Sequence, residues 1–219
     1  MFLRKDNTLK VKWIIFGVLL TLAIVFAGIH GADKFFEPMI HNQSCGIESN
    51  DLICSVAIII GKIFSTKIWL LGSALTVLFF FVYKALRNNN DFRYAFVKIK
   101  NSYVFYVFCS VLAAFVTTGV LKFLIGRARP LEIGFNHFTF VDKFNSMPSG
   151  HTAVSFAGLV MIGMLFPRIK WFTWILAITI AVSRVYVGAH WVSDVVFGAF
   201  IGMVCADIIK SALKKINSK

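Results

Sequence analysis

The segment Asn145–Gly158, NSMPSGHTAVSFAG, joins a polar cluster to the start of a long apolar run. Proline, serine, glycine and histidine are poor residues for the interior of a bilayer, where the backbone must satisfy its own hydrogen bonds. The apolar residues from Ala153 onward are typical of a membrane-spanning helix. The junction therefore places the titratable imidazole of His151 at the start of a predicted membrane helix.

The composition indicates that the rest of the chain is a membrane protein as well. The chain has 219 residues, of which 58% are hydrophobic and 15% are charged. Soluble domains carry roughly 25% charged residues. We therefore predict one integral membrane domain over residues 1–219. The net charge of +13 is attributed to cytoplasmic loops, which collect Lys and Arg, and not to a nucleic-acid partner.

Six apolar segments predict an all-α, polytopic fold with six transmembrane helices. The segment 52–65 is shorter and is interrupted by Gly61 and Lys62, so we expect an interfacial or re-entrant helix there, with a seventh span as the alternative. A cleaved signal peptide is the alternative for the first segment, but its 17 apolar residues exceed the usual length of roughly 7–15. The six predicted spans are Trp13–Ile29, Ile68–Tyr83, Val104–Leu124, Thr152–Phe166, Trp171–Val187 and Val192–Ile209.

The basic residues predict the orientation of these spans. In a six-span arrangement the basic segments fall on one side, which the positive-inside rule makes cytoplasmic together with both chain ends. The connections 31–67, 125–150 and 188–191 then lie outside, where Cys45 and Cys54 can form a disulfide; the sequence leaves that pairing open. The basic residues are Arg4, Lys5, Lys10, Lys12, Lys84, Arg87, Arg93, Lys98, Lys100, Arg168, Lys170, Lys210, Lys214, Lys215 and Lys219.

Three polar blocks are predicted to meet at the outer ends of the last four spans. Ionisable residues within or beside membrane helices are costly and point to function. Because successive spans alternate in direction, all three blocks fall on the same membrane surface. The blocks comprise Lys122, Arg127 and Arg129 in KFLIGRARP (122–130), Ser149, Gly150 and His151, and Arg184, His190 and Asp194 in SRVYVGAHWVSD (183–194).

These residue types suit a phosphate group. The four cations have no matching carboxylate cluster, and guanidinium forks fit tetrahedral oxyanions. The start of the fourth span offers free N–H groups to an anion, although Ser149 is also a typical helix N-cap. His190 and Asp194 share one helical face, so the carboxylate can orient the imidazole, and His151 suits proton transfer. Zinc is disfavoured because the cations repel it, so we predict no metal and no cofactor.

In spacing and order, the blocks resemble the signature of the type 2 phosphatidic acid phosphatase (PAP2) superfamily. Six residues separate Lys122 from Arg129-Pro130, Pro-Ser-Gly-His follows, and five and three residues separate Arg184, His190 and Asp194. The resemblance runs over Lys122–Asp194, and we place the motif-bearing core at about 102–209.

The resemblance implies a role for each matched residue. His190 is expected to attack phosphorus and form a phosphohistidine, and Asp194 to orient it. His151 is expected to protonate the leaving group and then to help activate water. The residues expected to hold the phosphoryl oxygens are Lys122, Arg129, Ser149, Gly150 and Arg184, with Arg127 as a candidate helper.

The resemblance also implies a metal-independent phosphatase of the bacterial plasma membrane that acts on a lipid phosphate at the outer face. The candidate substrates are undecaprenyl pyrophosphate, phosphatidylglycerophosphate, phosphatidic acid and lipid A phosphates, which the sequence does not separate. The small size and short loops suit a bacterial enzyme, and among the candidates we mildly favour lipid A or undecaprenyl pyrophosphate. A lipid phosphotransferase with the same site and a non-enzymatic lipid transporter are the alternatives. A haloperoxidase-like vanadate site shares the blocks, but such relatives are soluble.

Overall fold

The computed structural model of the chain describes residues 2–3, 8–36, 45, 51–87, 91–130, 138–139 and 145–217. Within these ranges the chain forms α-helices and two short 3-10 helices, Ala32–Phe36 and Pro167–Ile169, and no β-strand, which confirms the all-α prediction. The α-helices are α1 (Val11–Ile29), α2 (Leu52–Ile63), α3 (Thr66–Arg87), α4 (Phe92–Lys100), α5 (Tyr103–Ile125), α6 (Gly150–Leu165), α7 (Lys170–Tyr186) and α8 (Val192–Asn217).

Five helical stretches in the described residues are long and apolar enough to cross a membrane, so the chain is a multi-pass membrane protein. The remaining predicted span, the fourth (Thr152–Phe166), corresponds to α6, which has only 16 residues, below the roughly 20 that a hydrocarbon core requires. The predicted count of six is therefore not confirmed. The five stretches are Val11–Ile29, Leu52–Arg87, Tyr103–Ile125, Pro167–Tyr186 and Val192–Ile216.

The short helix α6 is the centre of the bundle. It packs against α5, α7 and α8, and most of its side chains are buried. Two glycines of α8 permit close approach, because a Cβ at Gly198 would lie 2.5 Å from the carbonyl oxygen of Ser149 and one at Gly202 would overlap the carbonyl oxygen of Ala153. This Gly-x-x-x-Gly pair therefore lets α8 pack closely against α6 within the chain.

Polar residues and one glycine fix the ends of the helices that carry the motif blocks. The hydroxyl of Ser102 accepts a hydrogen bond from the N–H of Phe105 at 3.3 Å and begins α5. At the other end of α5, Gly126 has a φ of 56°, a left-handed conformation that a residue with a Cβ rarely adopts. The chain then leaves the helix axis directly before the arginines of the first block.

Helix α4 was not predicted, since residues 84–103 were treated as a basic connection. Asp91 begins the helix by accepting a hydrogen bond from the N–H of Tyr94 at 2.9 Å. Ala95 and Ile99, four residues apart, are buried against the bundle. The helix is too short and too rich in Lys and Arg to stand out as an apolar segment, but the N-cap aspartate was a usable signal.

The segment 52–65 does contain a helix, α2, which packs against α7. Asp51 caps it by accepting from the N–H of Ile53 at 3.0 Å. A disulfide joins Cys54 in its first turn to Cys45, which decides the pairing that the sequence left open. The helix ends at Ile63 with Phe64 as its C-cap, and α3 starts at Thr66.

Candidate active site

The three motif blocks meet at one end of the helix bundle, here called the motif end. Lys122 lies in the last turn of α5, His151 in the first turn of α6, Arg184 in the last turn of α7, and Asp194 in the first turn of α8. The positive charges of Lys122, Arg129 and Arg184 all lie close enough to the ring of His151 to interact with it electrostatically. The helix ends therefore bring residues that are up to 72 positions apart in sequence (122 to 194) into one electrostatic cluster.

His190 and Asp194 are linked through a serine. Nδ1 of His190 lies 3.9 Å from Oδ2 of Asp194, which is too long for a hydrogen bond, and 3.4 Å from Oγ of Ser146. The Ser146 hydroxyl donates to Oδ2 of Asp194 at 2.5 Å. The N–H of Ser146 donates to the carbonyl of Arg127 at 2.9 Å, so the backbone holds the serine between the imidazole and the carboxylate.

His190 lies between α7 and α8 and is only 3% exposed. Burial lowers its pKa to about 4, the charges of Lys122 and Arg129 act in the same direction, and Asp194 opposes them. Desolvation disfavours the imidazolium form more than the carboxylate favours it. The ring is therefore neutral at ordinary pH and retains a lone pair on one nitrogen.

Arg127 is completely buried and belongs to an ionic network that holds Asp194. Its Nη1 donates to Oδ1 of Asp194 at 2.7 Å and to the hydroxyl of Ser193 at 2.7 Å. Its Nη2 donates to Oδ2 of Asp33 at 3.0 Å. Asp33, which follows α1, also accepts from the N–H and hydroxyl of Ser193. The residue expected only as a candidate helper thus pairs with two buried carboxylates and lies over the ring of Trp191.

Lys122 and Arg129 both bond to Asn145. Nζ of Lys122 donates to the backbone carbonyl of Asn145. Nη2 and Nε of Arg129 donate to its side-chain oxygen at 2.8 and 3.3 Å. Asn145 is exposed and Arg129 is partly exposed, in contrast to the buried Arg127 two residues earlier. Two oxygen atoms of Asn145 therefore hold Lys122 and Arg129, two of the predicted phosphate ligands, close together.

Ser149 has the capping role that was its alternative interpretation. Its hydroxyl accepts from the N–H of Thr152 at 3.5 Å and from the hydroxyl of Thr152 at 3.0 Å. Its own N–H donates to the carbonyl of Asp194 at 3.0 Å and is therefore occupied within the protein. At Gly150, a Cβ would lie 3.6 Å from Cε of Lys122, so this glycine lies beside a predicted phosphate ligand.

Arg184 is buried, and its guanidinium contacts α2. Nη2 donates to the carbonyl of Ala57 at 2.9 Å, and Nε lies 3.3 Å from the hydroxyl of Ser183. Across the part of the chain that the structure describes, no three His, Cys, Asp or Glu side chains are grouped in a way that would hold a metal ion.

A model of the PAP2 superfamily matches residues 102–218, more than half of the chain. The chain belongs to the PAP2 superfamily. The family predicted from the three motif blocks is thereby confirmed, and the matched residues include the whole of the motif end from Lys122 to Asp194.

Two curated PAP2 relatives carry phosphatase names. The lipid A 1-phosphatase of Rhizobium etli is 36% identical over 103 residues, which are 44% of this chain and 44% of that protein. The undecaprenyl-diphosphatase of Sulfolobus acidocaldarius is 32% identical over 96 residues, which are 42% of this chain and 47% of that protein. The chain therefore spans less than half of the length of these relatives.

A solved PAP2 structure has the same fold over nearly the whole chain. The transmembrane PAP2-type phosphatidylglycerolphosphate phosphatase of Bacillus subtilis superposes with a TM-score of 0.61. The alignment covers 93% of this chain and 96% of that chain at 19% sequence identity. At that identity the likeness concerns the fold alone.

Three residues of the PAP2 site, Ser146, Asn145 and Asp33, were not among the predicted site residues. Ser146 and Asn145 lie within the polar cluster before α6, so their position beside His151 was a usable signal. Asp33 lies 161 residues before Asp194, and nothing in its local sequence indicates a partner at the motif end. Only the packing of α1 against α8 brings the two carboxylates to one arginine.

Proposed function

We propose that the chain is a metal-independent phosphatase that removes a phosphate from a phospho- or pyrophospholipid through a phosphohistidine intermediate at His190. The observation that carries this proposal is the arrangement of a neutral, buried His190, linked through Ser146 to Asp194, within the field of Lys122 and Arg129. Such an arrangement supplies a nucleophile and the positive charge that a phosphoryl group requires.

The hydrogen bonds support Nε2 of His190 as the attacking atom. Ser146 donates its own hydroxyl proton to Asp194, so its oxygen is available to accept from Nδ1–H of His190. That bond fixes the tautomer with the proton on Nδ1 and leaves the lone pair on Nε2. As the ring becomes positive during attack, the carboxylate of Asp194 stabilises it through the serine and by direct attraction over 3.9 Å.

The cations support the binding of phosphoryl oxygens. Lys122 and Arg129 both donate to oxygen atoms of Asn145, and we propose that substrate oxygens take over these bonds. Arg184 joins them, with Gly150 contributing its backbone N–H at the start of α6. In phosphoryl transfer most of the catalysis comes from such positioning and charge stabilisation.

The proposed reaction has two steps. In the first, the Nε2 lone pair attacks phosphorus, the bond from phosphorus to the lipid or phosphate oxygen breaks, and His151 donates a proton to the leaving oxygen. In the second, His151 takes a proton from water, the resulting hydroxide attacks phosphorus, and the phosphorus–nitrogen bond breaks. Inorganic phosphate leaves, and both histidines return to their starting protonation states.

A lipid substrate is supported by an apolar cavity beside the proposed nucleophile. The cavity has a volume of about 430 Å³ and lies between α7 and α8. Tyr186 and Val192, which flank the connection that carries His190, belong to its lining together with Val182, Val185 and Val195. A hydrocarbon tail in this cavity would bring its headgroup to the motif end. The names of the two relatives favour lipid A and undecaprenyl pyrophosphate as substrates.

For topology, we propose six spans, with the short helix α6 as the fourth and α2 as an interfacial or re-entrant helix. The basic residues support an orientation with both chain ends in the cytoplasm and the motif end outside the bacterial plasma membrane. A single cysteine at Arg168 is expected to react with an impermeant label only from the cytoplasm, and one at Phe138 only from outside. The opposite pattern would overturn the orientation.

The function is tested by phosphate release from the purified chain in detergent with each candidate lipid in turn, including lipid A phosphates and undecaprenyl pyrophosphate. His190→Ala is the blank. We expect release from at least one lipid, unchanged by a chelator, and loss by at least about 10³-fold in the variant. When the reaction is run in heavy-oxygen water, the labelled oxygen should be incorporated into the released phosphate. This result separates hydrolysis from transfer to another lipid. Activity in the His190→Ala variant would refute the proposed nucleophile.

A further inference from the structure

We propose that helix α2 holds Arg184 in its phosphate-binding position and that Gly61 is a positioning residue for this arginine. The proposal deepens the proposed function, on which it rests, because it concerns how one phosphate ligand of that site is aimed. Helix α2 contains none of the motif residues, and its sequence suggested an interfacial or re-entrant helix, with a seventh span as the alternative.

The first observation is how the guanidinium of Arg184 is used. Nη2 donates to the carbonyl oxygen of Ala57 in the middle of α2 at 2.9 Å. Nε lies 3.3 Å from the hydroxyl of Ser183, one residue earlier in α7. The structure shows no other hydrogen bond of Arg184 to the residues that it describes. Two of the three guanidinium nitrogens therefore fix the plane of the fork, and Nη1 is left to donate to a ligand.

The second observation is the fit between Gly61 and the guanidinium. Gly61 is buried, and a Cβ built on it would overlap Nη1, Nη2 and Cζ of Arg184. The backbone of α2 and the planar group are thus in direct contact, which only glycine permits at this position. Cys54, Ala57 and Gly61 are the buried residues of α2 and recur at helical spacing, so its small-residue face packs against α7.

The third observation is that the N-terminal end of α2 is fixed at two points. The Cys45–Cys54 disulfide joins its first turn to residue 45. The hydroxyl of Tyr186 donates to Oδ2 of its N-cap, Asp51, at 3.0 Å. Tyr186 follows Arg184 by two residues on α7. The bond between Tyr186 and Asp51 therefore fixes the register of α2 along α7 close to the arginine, and the carbonyl of Ala57 stays opposite Nη2.

These contacts lead to a specific functional consequence. An arginine that is buried, hydrogen-bonded on one side and supported on its face presents the remaining N–H groups in one direction. Pre-orientation of this kind strengthens the binding of a phosphoryl oxygen, because less side-chain freedom is lost when the bond forms. A methyl group at position 61 displaces the fork, so it should weaken phosphate binding while the rest of the site stays intact.

The test compares Gly61→Ala with Gly72→Ala, a matched control in the adjacent helix α3, where an added Cβ meets no atom within 4 Å. Binding of inorganic phosphate to the full-length protein is measured by calorimetry, together with kcat, KM and the unfolding temperature. We expect Gly61→Ala to weaken phosphate binding by about tenfold or more and Gly72→Ala to leave it unchanged. Equal phosphate affinities in the two variants would overturn the proposal.

A double-mutant cycle with Arg184→Lys asks whether Gly61 acts through the arginine. Lysine retains a positive charge but has no planar fork to be displaced. We therefore expect Gly61→Ala to change phosphate affinity less than about twofold in the Arg184→Lys background. If the alanine weakens binding equally in both backgrounds, Gly61 acts by another route and the proposal is wrong.

If Gly61→Ala does not fold, Tyr186→Phe replaces it, since this change removes only the hydroxyl that holds the end of α2. Tyr83→Phe, which removes a hydroxyl contacted by Arg87 in α3, is its control. We expect phosphate binding about two- to fivefold weaker in Tyr186→Phe alone, and unchanged binding would overturn the proposal. Phosphate affinity is measured without turnover. If the wild-type chain hydrolyses no lipid, the proposed function is refuted, but the binding measurements still test the role of Gly61.

Discussion

The two ends of the helix bundle carry charged residues in opposite ways. At the motif end, Arg127 and Asp194 are fully buried, and the two carboxylates that pair with Arg127 lie 67 and 94 residues away from it in sequence. At the other end, here called the basic end, Lys98 in α4 is exposed and lies over the ring of Tyr94, four residues earlier, at 5.4 Å. Arg87 donates to the hydroxyl of Tyr83, also four residues earlier.

The difference shows which charges depend on the tertiary structure. At the basic end Arg87 and Lys98 each contact a tyrosine of their own helix, so each can be exchanged without disturbing other elements. At the motif end the buried Arg127 is paired with Asp33 and Asp194, which come from different elements, so removing one member leaves a partner uncompensated. We therefore expect substitutions to have large effects at the motif end and small ones at the basic end.

The largest effect is expected for Arg127→Ala, which leaves Asp33 and Asp194 buried without their counter-charge. We expect a loss of roughly 3–5 kcal/mol in the free energy of unfolding together with loss of phosphate release. Thermal unfolding followed by tryptophan fluorescence in detergent measures the first effect. Arg129→Ala is the control, since this partly exposed arginine should affect phosphate affinity and hardly affect stability. Equal stability of the two variants would contradict the network.

A smaller effect is expected for Ser146→Ala, which removes the hydroxyl between His190 and Asp194. We expect kcat to fall roughly tenfold and KM to change little, because the serine orients the nucleophile and does not hold the substrate. The control is Ser110→Ala, which also removes a buried hydroxyl, one that donates to the carbonyl of Ala157 at 2.9 Å within the bundle. A KM effect without a kcat effect would argue that Ser146 contacts the substrate instead.

The protonation of His190 as a function of pH tests the burial of the motif end without a change in the fold. Because burial lowers its pKa to about 4, the ring should stay neutral as the pH falls to about 5 and become protonated only near pH 4. Imidazole nitrogen shifts of isotope-labelled protein, assigned with His190→Ala, measure the midpoint. Asp194→Asn should lower it further, since the carboxylate charge favours the imidazolium. A midpoint near 6.5, the ordinary value, would show that the ring is accessible to water.

The smallest effect is expected at the basic end. Replacement of Lys98 by Gln should leave both the unfolding temperature and phosphate release at the wild-type level, since an exposed lysine with only a local aromatic contact contributes little. Lys84→Gln, beside Tyr83 in α3, is a second variant of the same kind. Loss of activity in either would mean that charges at the basic end act on the motif end.

Two arginines in one motif show how far the sequence could predict the site. Arg127 and Arg129 are equally polar and only two residues apart, and both were assigned to the phosphate, one as a ligand and the other as a candidate helper. The structure buries the first among carboxylates and leaves the second partly exposed beside Asn145. Their local sequence does not distinguish them, because the carboxylate partners of Arg127 come from the 3-10 helix after α1 and from α8.

The amino-acid sequence by itself determined the helical class, the membrane location, the family and the common end at which the three polar blocks meet. Hydropathy, charge and spacing are local properties of the sequence. Because successive spans alternate in direction, these properties predict the end of the bundle at which a residue lies. Only the tertiary structure decided that Ser146 lies between His190 and Asp194, that Asp33 balances Arg127, and that α2 supports Arg184. These contacts depend on how helices pack side by side, and lateral packing is set by shape complementarity between distant segments, which no local pattern encodes.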